Sequence, residues 1–186
     1  MKIVVAMTGA SGAMYTQRLL DNLDSQAHEI HFISTRHARE VAQLELPKGE
    51  LKIAPSVIQY DESGSMFVPF VSGSARLDAM VVIPASMGTI GRVANGVSDS
   101  TVARAADVFL KERRKLIFVP RESPYNLIHL RNMATLTEAG ATIIPAIPSF
   151  YSKPKTVTEV VDTIIARVLD HLGIEHKLVK RWQNGG

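Results

Sequence analysis

An α/β fold, a Rossmann-like (flavodoxin-like) doubly wound parallel sheet in three layers, is predicted by three observations on this chain of 186 residues. Short β-branched runs alternate with longer stretches of helical period, as parallel strands joined by crossover helices require. The short runs are almost wholly apolar, with little polar alternation, which marks strands covered on both faces. Turns bearing glycine and serine follow the first and third runs, and in such sheets ligands sit beyond the carboxyl ends of the strands.

In chain order the strands are placed at 2–7, 29–34, 79–83, 116–119 and 141–144, and the helices at 12–23, 36–44, 101–113, 127–139 and 157–172. The opening Met1-Lys2-Ile3-Val4-Val5-Ala6-Met7 reads as the first strand, because its apolar run is too short for a signal sequence and only one cation precedes it. Residues 47–73 break the alternation with Pro47, Gly49, Pro55, Gly64, Pro69 and Gly73 and show no clear period, so they are expected to form an excursion that covers a site or an interface. The length fits a single domain, 1–186, with a tail from about 173 to 186 that docks through Trp182, the only tryptophan, at the active site or on a neighbouring subunit.

Composition narrows the function classes. With 46% hydrophobic and 21% charged residues, disordered, collagenous and coiled-coil architectures are excluded. The chain has no cysteine, which rules out disulfides, thiolate metal sites, iron–sulfur clusters and a cysteine nucleophile, and fits a reducing cytoplasm. No apolar run approaches the roughly 18 residues that cross a bilayer. The net charge of +3 and the pI of about 9.3 come from scattered basic residues, and aromatics are only 6%, so small anionic ligands are expected rather than nucleic acid. None of the six histidines forms an HExxH or other ligand spacing and no Asp-rich pair for magnesium is present, so no metal site is expected. Ser11 has no nucleophile-elbow context, which argues against a hydrolase.

Two loops carry the candidate chemistry. Thr8-Gly9-Ala10-Ser11-Gly12 follows the first strand and opens the first helix, where glycine allows close backbone approach and free N–H groups suit an anion; a ligand-free tight turn would need the same glycines. Pro84-Ala85-Ser86-Met87-Gly88-Thr89 follows the third strand in the same way, with Ser86 read either as a ligand hydroxyl or as a helix cap. Arg104 and Lys111 are seven apart and share a helix face, whereas Arg113, Arg114 and Lys115 are expected at a solvated helix end. Pro120-Arg121-Glu122-Ser123-Pro124 holds a charge pair between two prolines directly after a strand. Arg167 lies in the last helix, and Tyr151 sits in a proline-flanked loop as either a packing group or a phosphate donor.

In order along the chain, MTGASGA at the start, SGSA at Ser72, PASMGT, RAADVFLKERRKL, VPRESP, GATIIPAIPSFY and the late ARVLDHLGI with its RW resemble the UbiX-type flavin prenyltransferases, a family earlier described as aromatic acid decarboxylases or 3-octaprenyl-4-hydroxybenzoate carboxy-lyases of ubiquinone biosynthesis. The resemblance spans nearly the whole chain. It implies a flavoprotein that joins dimethylallyl monophosphate to N5 and C6 of reduced FMN without a metal. It further implies a cytoplasmic homododecamer with active sites between subunits, and a product, prenylated FMN, handed to a UbiD-type decarboxylase.

Carried over residue by residue, the resemblance places FMN contacts on Gly9, Ala10, Ser11, Thr35, Ser86, Met87, Gly88, Thr89 and Arg121. It places the prenyl donor on Lys111, Arg121, Tyr151 and Arg167, with Arg104 and Trp182 near it and Ser72 and Gly73 arriving from a neighbouring subunit. Ser11, Glu45, Lys111, Glu122 and Tyr151 are the implied catalytic groups, Glu45 and Ser11 handling protons near the flavin N5. Thr35 stands where the family usually has serine, and Met87-Gly88 vary within the PASMGT loop. PASMGT also resembles the PASANT loop of FMN-dependent cysteine-decarboxylase-type enzymes. Such a decarboxylase and a non-catalytic flavin carrier are therefore the alternative expectations.

Overall fold

The computed structural model describes residues 1–62 and 66–180. Its elements run β1 (Lys2–Met7), α1 (Ala13–Asn22), β2 (Glu29–Ser34), α2 (Arg36–Glu45), β3 (Ile58–Asp61), a 3₁₀ turn (Pro69–Val71), β4 (Ala79–Ala85), α3 (Met87–Ala94), α4 (Thr101–Lys111), β5 (Lys115–Pro120), α5 (Leu127–Glu138), β6 (Thr142–Ile143) and α6 (Val157–Leu172). All strand pairs are parallel, in the order β3-β2-β1-β4-β5-β6. That is the Rossmann order, and without the edge strand β3 it is also the order of a flavodoxin-like sheet. The order reverses between β1 and β4, which makes their carboxyl ends the switch point.

Strand side chains alternate between two cores because successive residues point to opposite faces. Ile3, Val5 and Met7 of β1 join the cluster that includes residues of α1, α2 and α6, while Val4 and Ala6 join the cluster that includes residues of α3, α4 and α5. Nearly every residue of β1, β2, β4 and β5 is buried, as the unalternating sequence predicts.

Two elements were not legible in the sequence. β3 pairs only with β2 at the sheet edge, with Ile58 and Gln59 exposed, so it lacks the apolar run of an interior strand. α3 is eight residues long and contains Gly88 and Gly91, which blur its period. The segment predicted as an excursion wraps the sheet: Leu51 and Ile53 pack on the first core, Phe70 is fully buried in the second, and Lys52 exchanges two backbone hydrogen bonds with the Gln17 side chain.

The end of α4 is solvated as expected at Arg113 and Lys115, which are exposed, whereas Arg114 is half-buried. Arg113 turns the chain at φ 52°, the Arg114 N–H donates to the Phe109 carbonyl, and the Arg114 guanidinium donates to the Gly73 and Ala75 carbonyls at 2.7 and 2.6 Å. Lys115 donates to the His171 carbonyl at the end of α6. Backbone carbonyls are partners of both the Arg114 and the Lys115 side chains.

One buried hydroxyl pins the switch point. Thr8 is 1% exposed; its Oγ1 donates to the Pro84 carbonyl at 2.8 Å and accepts from the Ser86 N–H at 2.8 Å, so the loop after β1 and the loop after β4 move as one. Thr8→Val keeps the shape but orphans the Ser86 N–H, while the Pro84 carbonyl keeps the Thr8 N–H at 3.2 Å. It is expected to lower the unfolding free energy by about 1–3 kcal/mol in urea denaturation, and an unchanged midpoint would contradict the pinning.

Candidate cofactor and substrate site

Three helices begin at the carboxyl edge around one cleft. Thr35, Ser86 and Ser100 are the N-caps of α2, α3 and α4, their hydroxyls accepting from the N–H of Ala38, Thr89 and Ala103 at 3.1, 3.3 and 3.2 Å. The cleft, about 380 Å³, is lined by these caps together with Thr8, Gly9, His37, Glu62, Thr89, Arg92 and Asp99. Unpaired first-turn N–H groups and the positive end of each helix dipole make such a place attractive to phosphate. Gly9 permits the approach of α2, since a Cβ there would stand 2.6 Å from the His37 Cβ. The Met87 side chain is buried in the core, so it offers the cleft backbone only.

A second group of residues flanks the same loop. Helix α2 lies along it, meeting Gly9 through His37 and reaching Gly12 and Ala13 through Glu45, whose Oε2 accepts both backbone N–H groups at 2.8 Å. Partial burial pushes the Glu45 carboxyl up, but hydrogen bonds from the Ser11 hydroxyl and from the Gly12 and Ala13 backbone, with the nearby Arg121 charge, outweigh it and hold the group below its ordinary value of 4.5. A folded-state value below the unfolded one adds stability above the unfolded value, and that stability is lost as pH falls through the folded one. Wild-type protein should therefore melt above Glu45→Gln at neutral pH, the gap closing as pH drops below 4.5; a gap independent of pH would refute the ionised state.

The other predicted residues divide between the two edges of the sheet. Arg121 is at the carboxyl edge, its N–H donating to the Ala85 carbonyl at 3.3 Å, and Glu122 is exposed beside it, accepting from the Ser123 N–H at 2.9 Å. Tyr151 is exposed beyond β6, in a turn closed by the Lys153 N–H on the Phe150 carbonyl. Arg104 is in the first turn of α4, paired with Asp107 at 2.8 Å. Lys111 ends α4 just before β5, paired with Glu112 and packed against Gly73, which puts Lys111, Ser72 and Gly73 at the amino edge. Arg167 is exposed one turn before the end of α6, 3.2 Å from Asp170, and the Lys115 contact brings that helix end to the amino edge as well. One subunit thus gathers Gly9, Ser11, Thr35, Glu45, Ser86, Thr89 and Arg121 and leaves Lys111, Arg167, Ser72 and Gly73 apart from them. Trp182 lies outside the described residues.

His37, Glu62, Arg92, Asp99 and Ser100 line the cleft without having been singled out as site residues in the sequence. Ser100 had a readable signal, a serine directly before an apolar helical run. The rest reach the cleft only through tertiary packing.

A doubly wound sheet with helix N-termini around its switch-point cleft defines a protein that binds a phosphorylated nucleotide or flavin. The residues present fit FMN: helix ends and the Ser86 and Thr89 hydroxyls suit its phosphate, and a buried oxygen of Glu62 with no partner among the described residues borders the same space. Residues 1–169 match the family model described as Flavoprotein. The chain is 46% identical over 182 residues to the flavin prenyltransferase UbiX of Methanocaldococcus jannaschii, covering 98% of each chain. It is 41% identical to that of Pseudomonas aeruginosa, covering 97% of this chain and 93% of the other. A dodecameric FMN-dependent UbiX-like decarboxylase from Escherichia coli O157:H7 superposes with a TM-score of 0.91 at 40% identity, covering 99% of this chain and all (100%) of that one. AnUbiX (PadA1), solved with FMN and dimethylallyl pyrophosphate, gives 0.90 at 36%, covering 100% and 98%. The chain belongs to the flavoprotein family and, within it, to the UbiX flavin prenyltransferases. The peptidyl-cysteine decarboxylase EpiD, at 18% identity and a TM-score of 0.63 over 92% of this chain and 97% of that one, shares the fold alone.

Proposed function

We propose that this chain transfers the dimethylallyl group of dimethylallyl monophosphate to reduced FMN, giving prenylated FMN for a UbiD-type decarboxylase. The observation that carries the reading is the switch-point cleft walled by three helix N-termini, with the Ser11–Glu45 pair and Arg121 on the other side of the same loop. When bound, reduced FMN supplies the nucleophilic N5 and C6 that take the prenyl group.

The ends of α2, α3 and α4 hold the flavin phosphate, with Thr35, Ser86 and Thr89 completing the cradle. The Ser11 hydroxyl, directed to the ionised Glu45, is placed to pass a proton between ligand and carboxylate. Arg121 sits beside this pair and contributes positive charge toward the leaving phosphate. Lys111, Arg167 and the Ser72-Gly73 loop come from the amino edge of a second copy, and Tyr151 and Glu122 complete the donor pocket. A leaving monophosphate carries close to two negative charges, and hydrogen bonds to charged groups contribute about 1.5–3 kcal/mol each, so three such cations supply several kcal/mol as the C–O bond breaks.

Family relatives described as dodecameric and as bound to dimethylallyl pyrophosphate support both an assembly and an allylic phosphate donor. A reaction that consumes reduced flavin fits a reducing compartment, and we read that compartment as the cytoplasm. No helix among the described residues is long and apolar enough to cross a membrane.

Anaerobic incubation of the protein with reduced FMN and dimethylallyl monophosphate, followed by mass spectrometry of the released flavin, tests the reading. A flavin heavier by one prenyl unit is expected. Unchanged FMN on a protein whose spectrum shows bound flavin would sink the transferase and leave only a flavoprotein.

A further inference from the structure

Among the cleft groups that the reading above does not use, Glu62 stands out. Glu62 follows β3, whose register pairs Asp61 with Ser34, so Glu62 stands beside Thr35 at the cleft wall. Its Oε1 is buried, and among the described residues it is the one buried side-chain polar atom with no hydrogen-bond partner. The nearby donor groups are engaged elsewhere: Arg92 with Asp99 at 3.2 Å, Arg39 with Asp61 at 3.0 Å, and His37 with Glu40 at 2.9 Å. A buried acceptor left unmade costs stability, and such atoms are rare in native proteins unless something else supplies the donor.

The rest of the lining narrows what that donor is. Helix ends and hydroxyls supply the N–H and O–H groups that a phosphate needs, whereas a carboxylate repels phosphate and accepts from neutral hydroxyls. A ligand satisfying both halves carries a phosphate and, a few atoms away, an alcohol. We propose that Glu62 is a binding residue for the polyol of the cofactor, its Oε1 accepting from a hydroxyl of the ribityl chain while the helix ends hold the phosphate. Glu62 thereby selects a flavin with a hydroxylated chain over one recognised by phosphate alone. The assignment rests on the flavin reading above.

The test compares three apo proteins, wild type and the two variants Glu62→Ala and Glu62→Gln. FMN and riboflavin are titrated by flavin fluorescence, inorganic phosphate is titrated as a competitor of FMN, and each apo protein is melted. Glu62→Ala is expected to weaken riboflavin by about 10- to 100-fold and FMN by a similar or smaller factor, with inorganic phosphate affinity no weaker than wild type. Glu62→Gln, which keeps an acceptor oxygen, loses less. The apo Glu62→Ala protein melts no lower than wild type, because a burden has been removed.

A lower apo melting temperature would show that Glu62 holds the loop and would overturn the proposal. Unchanged or tighter FMN binding would overturn it too, the latter by showing that the carboxylate merely opposes phosphate. Wild-type protein that binds neither flavin would overturn the flavin reading itself, and with it this one; wild-type binding with an indifferent Glu62→Ala overturns only the role of Glu62.

Discussion

Lys111→Ala is expected to cut prenyl transfer by about 10²–10³-fold while FMN affinity stays at the wild-type value, because on the proposed mechanism it removes a cation from the leaving phosphate and leaves the flavin cradle untouched. Lys111 lies at the amino edge of its own subunit, away from Gly9, Ser86 and Glu45. Loss of FMN binding in this variant would therefore contradict the separation of the two sites. The same geometry predicts complementation. Co-expressed Lys111→Ala and Glu45→Gln chains, each inactive alone, should form mixed assemblies in which about a quarter of the sites draw both intact residues from different copies. Mixed assemblies as inactive as either parent would place the whole site within one subunit.

The second large effect is expected at Gly9. A Cβ at this position would stand 2.6 Å from the Cβ of His37 and 3.5 Å from its carbonyl carbon, and neither is a flexible tip that can swing aside. In Gly9→Ala, α2 must shift, taking with it Thr35 at one end and Glu45 at the other. Overpacking of this kind costs about 1–3 kcal/mol of stability. A displacement near 1 Å in a binding constellation costs about 100-fold in function, so FMN binding should fall by that order. Gly91→Ala is the control: its Cβ meets only the Asn132 amide nitrogen, at 3.3 Å, and its flavin affinity should be wild type. Equal behaviour of the two variants in fluorescence titration would remove the packing argument.

What the sequence revealed follows from where its information is local. β1, β4 and β5 were legible because both of their faces are buried, which leaves an apolar run, and the two ligand loops were legible because they directly follow β1 and β4. β3 escaped because an edge strand of four residues needs no such run. Ser11 and Ser86 announce themselves at strand ends, one and two residues before a glycine, but Glu62 and His37 become cleft residues only when β3 pairs with β2 and α2 settles on Gly9. The helix face shared by Arg104 and Lys111 was correctly read, yet seven residues along a helix span about 10 Å, so both cannot stand at the same edge of the sheet. Periodicity gives the side on which a residue lies. The height along the helix depends on which strand the helix precedes.

Glu45 has a consequence for which nucleotides this fold admits. In dinucleotide-binding sheets the first helix after β1 receives the pyrophosphate. Here that socket already holds a carboxylate of the chain itself, seated on the Gly12 and Ala13 N–H groups. The protein seats its own carboxylate where the pyrophosphate of a longer cofactor would dock, so in this widely shared nucleotide scaffold the socket of the first helix is filled from within by one side chain.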